Sequence, residues 1–173
     1  MVSKWNYVPL TEEEKHIERK LAETLSISPA ICTLLVQRGV KTEEQAKKFF
    51  RPQLSDLYDP FLLKDMDKAV ARLNKAMGAK EKILVYGDYD VDGTTAVALV
   101  YKFLNNFYSN IDYYIPDRYD EGYGISKKGI DYAADNGFTL VVALDCGIKA
   151  VEKVAYAKER GVDFIICDHH VPD

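Results

Sequence analysis

The chain has 173 residues, enough for one core of ordinary size or a core plus a small appendage, and 47% apolar with 29% charged content is typical of a soluble globular protein. No apolar run approaches the roughly 20 residues needed to span a bilayer, and Met1-Val-Ser-Lys-Trp-Asn6 lacks a signal-peptide core. A formal net charge of −4 excludes a basic nucleic-acid coat but not a nuclease, because carboxylates devoted to metal ions lower the total while the ions offset them locally.

Residues 1–78 read as a helical region. Thr11-Glu-Glu-Glu14 is a capping box, followed by an apolar stripe of Ile17, Leu21 and Leu25. Ser28-Pro29 gives a cap with proline at the first helical position, and Gly39 is placed to end that helix. Thr42-Glu-Glu-Gln45 is a second capping box, with Ala46, Phe49 and Phe50 on one face before Pro52. A loop holding Tyr58-Asp-Pro60 leads to a helix from about Asp67 to Met77, closed by Gly78. No cluster of catalytic residue types occurs here. His16 reads as a solvated helix histidine. Trp5, Phe49 and Phe50 could stack on bases, but packing in a core or interface accounts for them more simply.

Residues 79–173 read differently. Apolar runs at Ile83–Tyr86, Ile111–Ile115, Leu140–Leu144 and Phe164–Cys167 alternate with helical segments near 94–107, 126–136 and 149–160. Such alternation predicts an α/β domain with a mainly parallel, Rossmann-like sheet, whose ligands bind beyond the carboxyl ends of the strands. All four predicted strand ends carry polar residues. After the first come Asp88, Asp90 and Asp92, with Gly93 allowing a tight turn and Thr94 or Thr95 placed to cap the next helix. After the second comes Pro116-Asp-Arg-Tyr-Asp-Glu-Gly-Tyr-Gly124. Asp145 follows the third strand, and Asp168, His169 and His170 follow the fourth.

Carboxylates this close repel one another, and folding raises their pKa values unless cations lie between them. Two motifs overlap at the first cluster. Asp88-x-Asp90-x-Asp92-Gly93 opens like a calcium EF-hand loop, but the twelfth position, which needs a bidentate Glu, is Leu99. Asp90-Val-Asp-Gly-Thr94 also matches the nucleophile motif of haloacid-dehalogenase-type phosphatases, although Gly87-Asp88-Tyr89 here separates it from the strand.

Carboxylates with one or two imidazoles suit Mn²⁺, Mg²⁺ or Zn²⁺. An aspartate shared by two cations would hold them about 3.5–4 Å apart for a phosphoryl displacement. Asp145 could be that bridge. Asp92 could cap the following helix, leaving Asp88 and Asp90 as ligands, and Asp168 could fix a histidine tautomer. Arg118 could take a phosphate bidentately, or form a surface ion pair. Cys32, Cys146 and Cys167 are odd in number and lack metal-type spacing, which points to a reducing cytoplasm. Cys146 and Cys167 read as small buried residues.

Asp88-Tyr-Asp-Val-Asp-Gly93, Asp145-Cys-Gly-Ile148 and Asp168-His-His170 resemble the first three motifs of the DHH phosphoesterase superfamily. Ile115-Pro-Asp-Arg-Tyr-Asp-Glu-Gly-Tyr-Gly124 is similar to the RecJ branch, the single-stranded-DNA-specific 5′→3′ exonucleases. So are Leu34-Leu-Val-Gln-Arg-Gly39 and Asp65-Met-Asp-Lys-Ala69. The resemblance implies two-metal phosphodiester hydrolysis with Mn²⁺ or Mg²⁺, in DNA repair and recombination. Asp88, Asp90, Asp145 and His169 would be metal ligands, with Asp90, Asp145, His169 and His170 catalytic. His170 would ligate or meet the scissile phosphate, and Arg118, Gly122 and Gly124 would help place the strand.

A histidine that RecJ proteins often carry two residues before the first motif aspartate is Tyr86 here. The family's fourth-motif Asp and further domains lie beyond the third motif. The expectation is therefore an N-terminal piece with an incomplete metal site, little active alone. Its parent would act in the cytoplasm as a monomer, on single-stranded DNA, beside a single-strand-binding protein and a helicase, and away from membranes. The other readings are a DHH phosphoesterase for a nucleotide or pyrophosphate, a dehalogenase-type phosphatase, and a DHH-derived binding module without catalysis.

Overall fold

The computed structural model describes residue 4 and residues 6–172. Trp5 lies outside the described residues. The chain divides into two compact units, with the division between Leu62 and Leu63.

The first unit holds α1 (Glu12–Leu25), α2 (Pro29–Gln37), α3 (Glu43–Phe50) and two short 3₁₀ turns, Leu54–Asp56 and Pro60–Leu62. Both expected capping boxes form: the Thr11 hydroxyl accepts the Glu14 N–H, and the Thr42 hydroxyl accepts the Gln45 N–H. Ser28 stands at the N-cap of α2 without a side-chain hydrogen bond there, so Pro29 alone marks that start. Gly39 takes φ 81°, and the N–H groups of Gly39 and Val40 return to Val36 and Leu35. That pairing satisfies the last carbonyls of α2. Leu10, Leu21, Cys32, Leu35, Val36 and Ala46 form the core of this unit. His16 is exposed. Phe49 and Phe50 lie outside this core. They are 56% and 48% exposed and meet edge-on at 5.5 Å, because only the short side of α3 at Ala46 faces the core.

The second unit begins with α4 (Met66–Gly78), then β1 (Lys82–Gly87), α5 (Val91–Asn105), β2 (Ile111–Tyr114), α6 (Lys127–Asp135), β3 (Phe138–Leu144), α7 (Val151–Glu159) and β4 (Asp163–Cys167). The four strands make one parallel sheet in the order β2-β1-β3-β4. Alternate residues of the strands feed two cores, as a period of two requires. Ile83, Val85, Leu140, Val142 and Leu144 pack against Leu73, Ala76 and Met77 of α4 and against Val97 and Leu104 of α5. Leu84, Tyr86, Val141 and Ala143 pack against Ile130 and Ala133 of α6 and Ala157 of α7. The α4 helix, read from sequence with the helical lead-in, thus covers the sheet through its Leu73–Ala76–Met77 face. No helix among the described residues is long and apolar enough to cross a membrane.

Candidate metal centre

The register of the sheet assembles the site. Gly87 pairs with Leu144, and Leu144 pairs with Cys167. The next residues on these three strands are Asp88, Asp145 and Asp168, which therefore leave the sheet side by side at its carboxyl edge.

Asp88 is fully buried. Its Oδ1 accepts the Tyr89 N–H at 2.7 Å and its Oδ2 accepts the Gly124 N–H at 3.0 Å. Burial pushes its carboxyl above the usual carboxylate range. The two N–H bonds oppose that rise, while the charges of Asp90 and Asp145 add to it. A buried acid whose partners are backbone amides and whose neighbours are other acids is short of positive charge.

The helix after this loop starts earlier than expected. α5 begins at Val91, and Asp90, not Asp92, Thr94 or Thr95, caps it: Asp90 Oδ1 accepts the Gly93 N–H at 2.9 Å. The Thr94 hydroxyl donates back to the Asp90 carbonyl at 2.6 Å. Gly93 sits in the first helical turn and serves close approach instead of a tight turn. A Cβ there would lie 2.4 Å from the Asp88 carbonyl oxygen and 2.6 Å from its nitrogen. Gly87 works in the same way, since its Cβ would lie 2.4 Å from Val97 Cγ2. Two glycines thus press the start of α5 onto the end of β1 and hold Asp88 and Asp90 at the sheet edge.

Asp145 adopts φ 59°, the left-handed region that aspartate tolerates better than most residues. Its N–H donates to the Cys167 carbonyl at 2.8 Å. Its Oδ1 lies 3.1 Å from His169 Nε2. Asp168 Oδ2 accepts the Ile148 N–H at 2.9 Å, and Oδ1 meets His170 twice, at the backbone N–H (3.1 Å) and at Nδ1 (2.7 Å). Burial pushes the Asp168 carboxyl up, but these three bonds outweigh it and hold the carboxyl below the usual range. The same Asp168 bond, against burial and with help from the Asp168, Asp145 and Asp90 charges, raises the His170 imidazole. Asp168 thereby orients one histidine, as a supporting carboxylate beside a metal ligand does.

Asp145, His169 and His170 each offer a ligand atom, and these atoms lie within 4.8 Å of one another. Asp88 and Asp90 stand outside that trio, their carboxylates held by backbone N–H groups. Charge nevertheless links them to it: after the Asp168 bond, the Asp90 charge helps raise the His170 imidazole, and after burial, the Asp145 charge helps raise the Asp88 carboxyl. One nitrogen-and-oxygen set at the edge, with a buried acid lacking a counter-charge beside it, fits a hard or borderline divalent cation.

Residues 116–126 close one side. Gly122 and Gly124 have φ 77° and 79°, and the Gly124 N–H is the one on Asp88. The Arg118 guanidinium lies over the Tyr89 ring at 5.3 Å, a cation–π contact in place of the surface ion pair considered from sequence. Tyr123 meets Tyr89 at 6.0 Å and His170 at 6.3 Å, edge-on in both cases. A groove of about 630 Å³ runs from Tyr123 and His170 past Cys146 and Ile148 to Lys153.

Sequence reasoning missed the groups that hold this loop. Tyr86 is buried on the α6 and α7 face, donates its hydroxyl to the Gly124 carbonyl at 2.9 Å, and accepts the Ser126 N–H at 3.1 Å. Glu121 and Ser126 complete that network. Cys146 is buried as expected, and burial pushes its thiol up to about 12. Cys167 is exposed, contrary to expectation, because β4 is an edge strand.

Residues 82–173 match the DHH family, N-terminal domain. The chain belongs to the DHH family. Among curated proteins, this DHH chain is similar to the single-stranded-DNA-specific exonuclease RecJ of Bacillus subtilis, 42% identical over 154 residues that make up 89% of the chain and 20% of that protein. It is 34% identical to the Escherichia coli exonuclease of the same name over 84% of the chain and 25% of that protein. Among solved structures, it resembles a manganese-bound exonuclease RecJ (TM-score 0.59, 33% identity, 64% of this chain and 29% of that one). It also resembles the Mn²⁺ complex of RecJ from Thermus thermophilus (TM-score 0.65, 26% identity, 91% of this chain and 22% of that one). The DHH chain spans about a fifth to a quarter of the length of these curated relatives.

Proposed function

We propose that this DHH domain is part of a single-stranded-DNA-specific 5′→3′ exonuclease acting in DNA repair and recombination. The observation that carries the reading is the alignment of Asp88, Asp145 and Asp168 beyond three neighbouring strands, with His169 and His170 beside Asp145. The RecJ names of its relatives and the manganese in two structural neighbours support the same reading.

Asp88, Asp90, Asp145 and His169 would hold Mn²⁺ or Mg²⁺ in a two-metal site. Cations held there supply the activation of water and the charge neutralisation that phosphodiester hydrolysis needs. This chain's own groups do the rest. Asp168 keeps the His170 ring in one orientation for a ligand or the scissile phosphate. Arg118, steadied on Tyr89, and the Gly122–Gly124 turn would help place a strand's phosphate or 5′ end.

The test uses the full natural protein on a substrate panel: 5′-labelled single-stranded DNA, a dinucleotide and pyrophosphate. The reading expects nucleotide release from DNA, and an Arg118→Ala variant that cleaves DNA poorly while binding Mn²⁺ normally. Strong turnover of pyrophosphate or the dinucleotide with none on DNA would assign another branch of the family. A beryllofluoride adduct on Asp90 would replace hydrolysis by water with an aspartyl-phosphate mechanism.

A further inference from the structure

We infer that Glu121 is a positioning residue, which acts on the metal centre through the loop it clamps. Its carboxylate gathers three donors from both ends of that loop. Oε1 accepts the Tyr114 O–H and the Asp117 N–H, each at 2.9 Å, and Oε2 accepts the Ser126 O–H at 2.5 Å. Tyr114 closes β2 at the loop's entry, whereas Ser126 is the N-cap of α6 at its exit and accepts the Gly129 N–H at 2.8 Å. One acid therefore ties the last residue of a strand to the first turn of a helix.

From Ser126 the connection runs inward with every donor matched to an acceptor. The Ser126 N–H donates to the Tyr86 hydroxyl, that hydroxyl donates to the Gly124 carbonyl, and the Gly124 N–H donates to Asp88. Ser126, Tyr86 and Asp88 are all buried. Hydrogen bonds shielded from water are strong, and a missing partner in such a chain is costly. Gly124 holds φ 79°, a conformation open to glycine, and lies between the two ends that Glu121 ties together. Glu121 thus sets where the Gly124 N–H sits, and with it the orientation of the buried Asp88 carboxylate. Tyr86 belongs to the same relay, so it serves the site from behind and not as a ligand.

The inference rests on the reading of Asp88 as a metal ligand, and the experiment separates the two. Glu121→Ala removes all three acceptor contacts. Glu121→Gln keeps an acceptor for Tyr114 and Asp117, while the rotatable Ser126 hydroxyl can turn to accept from the amide. Hydrogen exchange of the 115–127 segment in the full natural protein reads the clamp without any metal. Exchange at Gly124 and Ser126 should quicken by about tenfold in Glu121→Ala and stay near wild type in Glu121→Gln. Titration with Mn²⁺ reads the transmission. The Mn²⁺ dissociation constant should rise by about 10–100-fold in Glu121→Ala, with Glu121→Gln restoring most of it. Tyr86→Phe should weaken Mn²⁺ binding too, and the double variant should be little worse than Glu121→Ala alone, because both cuts fall on one path.

A Glu121→Ala protein with a lower unfolding midpoint but wild-type exchange at Gly124 and wild-type Mn²⁺ affinity would overturn the inference and leave a stabilising role only. Faster exchange with unchanged Mn²⁺ affinity would also overturn it; an Asp88→Ala variant titrated beside it separates the two, since lost Mn²⁺ affinity there keeps Asp88 as a ligand and unchanged affinity removes it. Absence of nuclease activity in the wild type would count against the proposed reaction and leave both readouts standing.

Discussion

Replacing Gly93 by alanine sets two effects of opposite sign against each other. Gly93 is the third residue of α5, and an alanine inside a helix is favoured over glycine by about 1 kcal/mol. The added Cβ would, however, stand 2.4 Å from the Asp88 carbonyl oxygen, 2.6 Å from its nitrogen and 2.8 Å from its carbonyl carbon. All three are backbone atoms of a fully buried residue, so no side chain can swing aside. Reaching the 3.4 Å of ordinary contact from 2.4 Å requires α5 and the end of β1 to part by 1.0 Å. Overpacking of this kind costs about 1–3 kcal/mol, so the clash should equal or exceed the propensity gain. The displacement falls on Asp88 and Asp90, and a 1 Å misplacement at a reacting centre can cost about 100-fold in rate. Urea unfolding of Gly93→Ala should therefore show no gain in stability, and single-stranded-DNA cleavage by the full natural protein should fall by about two orders of magnitude. A variant about 1 kcal/mol more stable than wild type with normal cleavage would refute the close-approach role of Gly93.

Asp168→Ala should leave the Ile148 N–H without its acceptor and the His170 ring free to turn, lowering Mn²⁺ affinity by about 10–100-fold in a direct titration. Arg72 joins α4 to the opposite edge of the sheet through Glu81 (2.8 Å) and Asp163 (2.9 Å), and bonds from Arg72 and Thr139 hold the Glu81 carboxyl below its ordinary 4.5. A depressed carboxyl contributes stability above its unfolded pKa and loses it as pH falls through the folded value. Arg72→Met should thus destabilise by about 1–3 kcal/mol in urea at pH 7, and the gap from wild type should narrow at pH 3; a gap that widens in acid would refute the assignment.

Much of this was legible in the residues because the signals are local. Short runs of four or five residues rich in aliphatic and aromatic side chains marked all four strands, and Asp at three strand ends marked the edge that the register then lined up. The start of α5 was not legible, since Asp90, Thr94 and Thr95 are all competent caps and only the packing of Gly93 on Asp88 selects Asp90. The Glu121–Ser126–Tyr86 network escaped notice because its members lie up to 40 residues apart and joined only when β1 and α6 packed together. The exposure of Cys167 depends on β4 being an edge strand, and strand order is not written in composition. Assigning α4 to the helical lead-in followed its sequence position, whereas its Leu73–Ala76–Met77 face belongs to the sheet.

The central claim is that Asp145, with its neighbours on β1 and β4, forms a cation site for phosphodiester hydrolysis. Asp145→Asn tests it most directly, because asparagine tolerates the φ of 59° and removes the charge beside His169. The measurement is nucleotide release from 5′-labelled single-stranded DNA in millimolar Mn²⁺ by the full natural protein, wild type beside variant, with unfolding midpoints compared. The expected result is an unchanged midpoint and a rate lower by about 10²-fold or more. A folded Asp145→Asn protein that degrades DNA at the wild-type rate would contradict it.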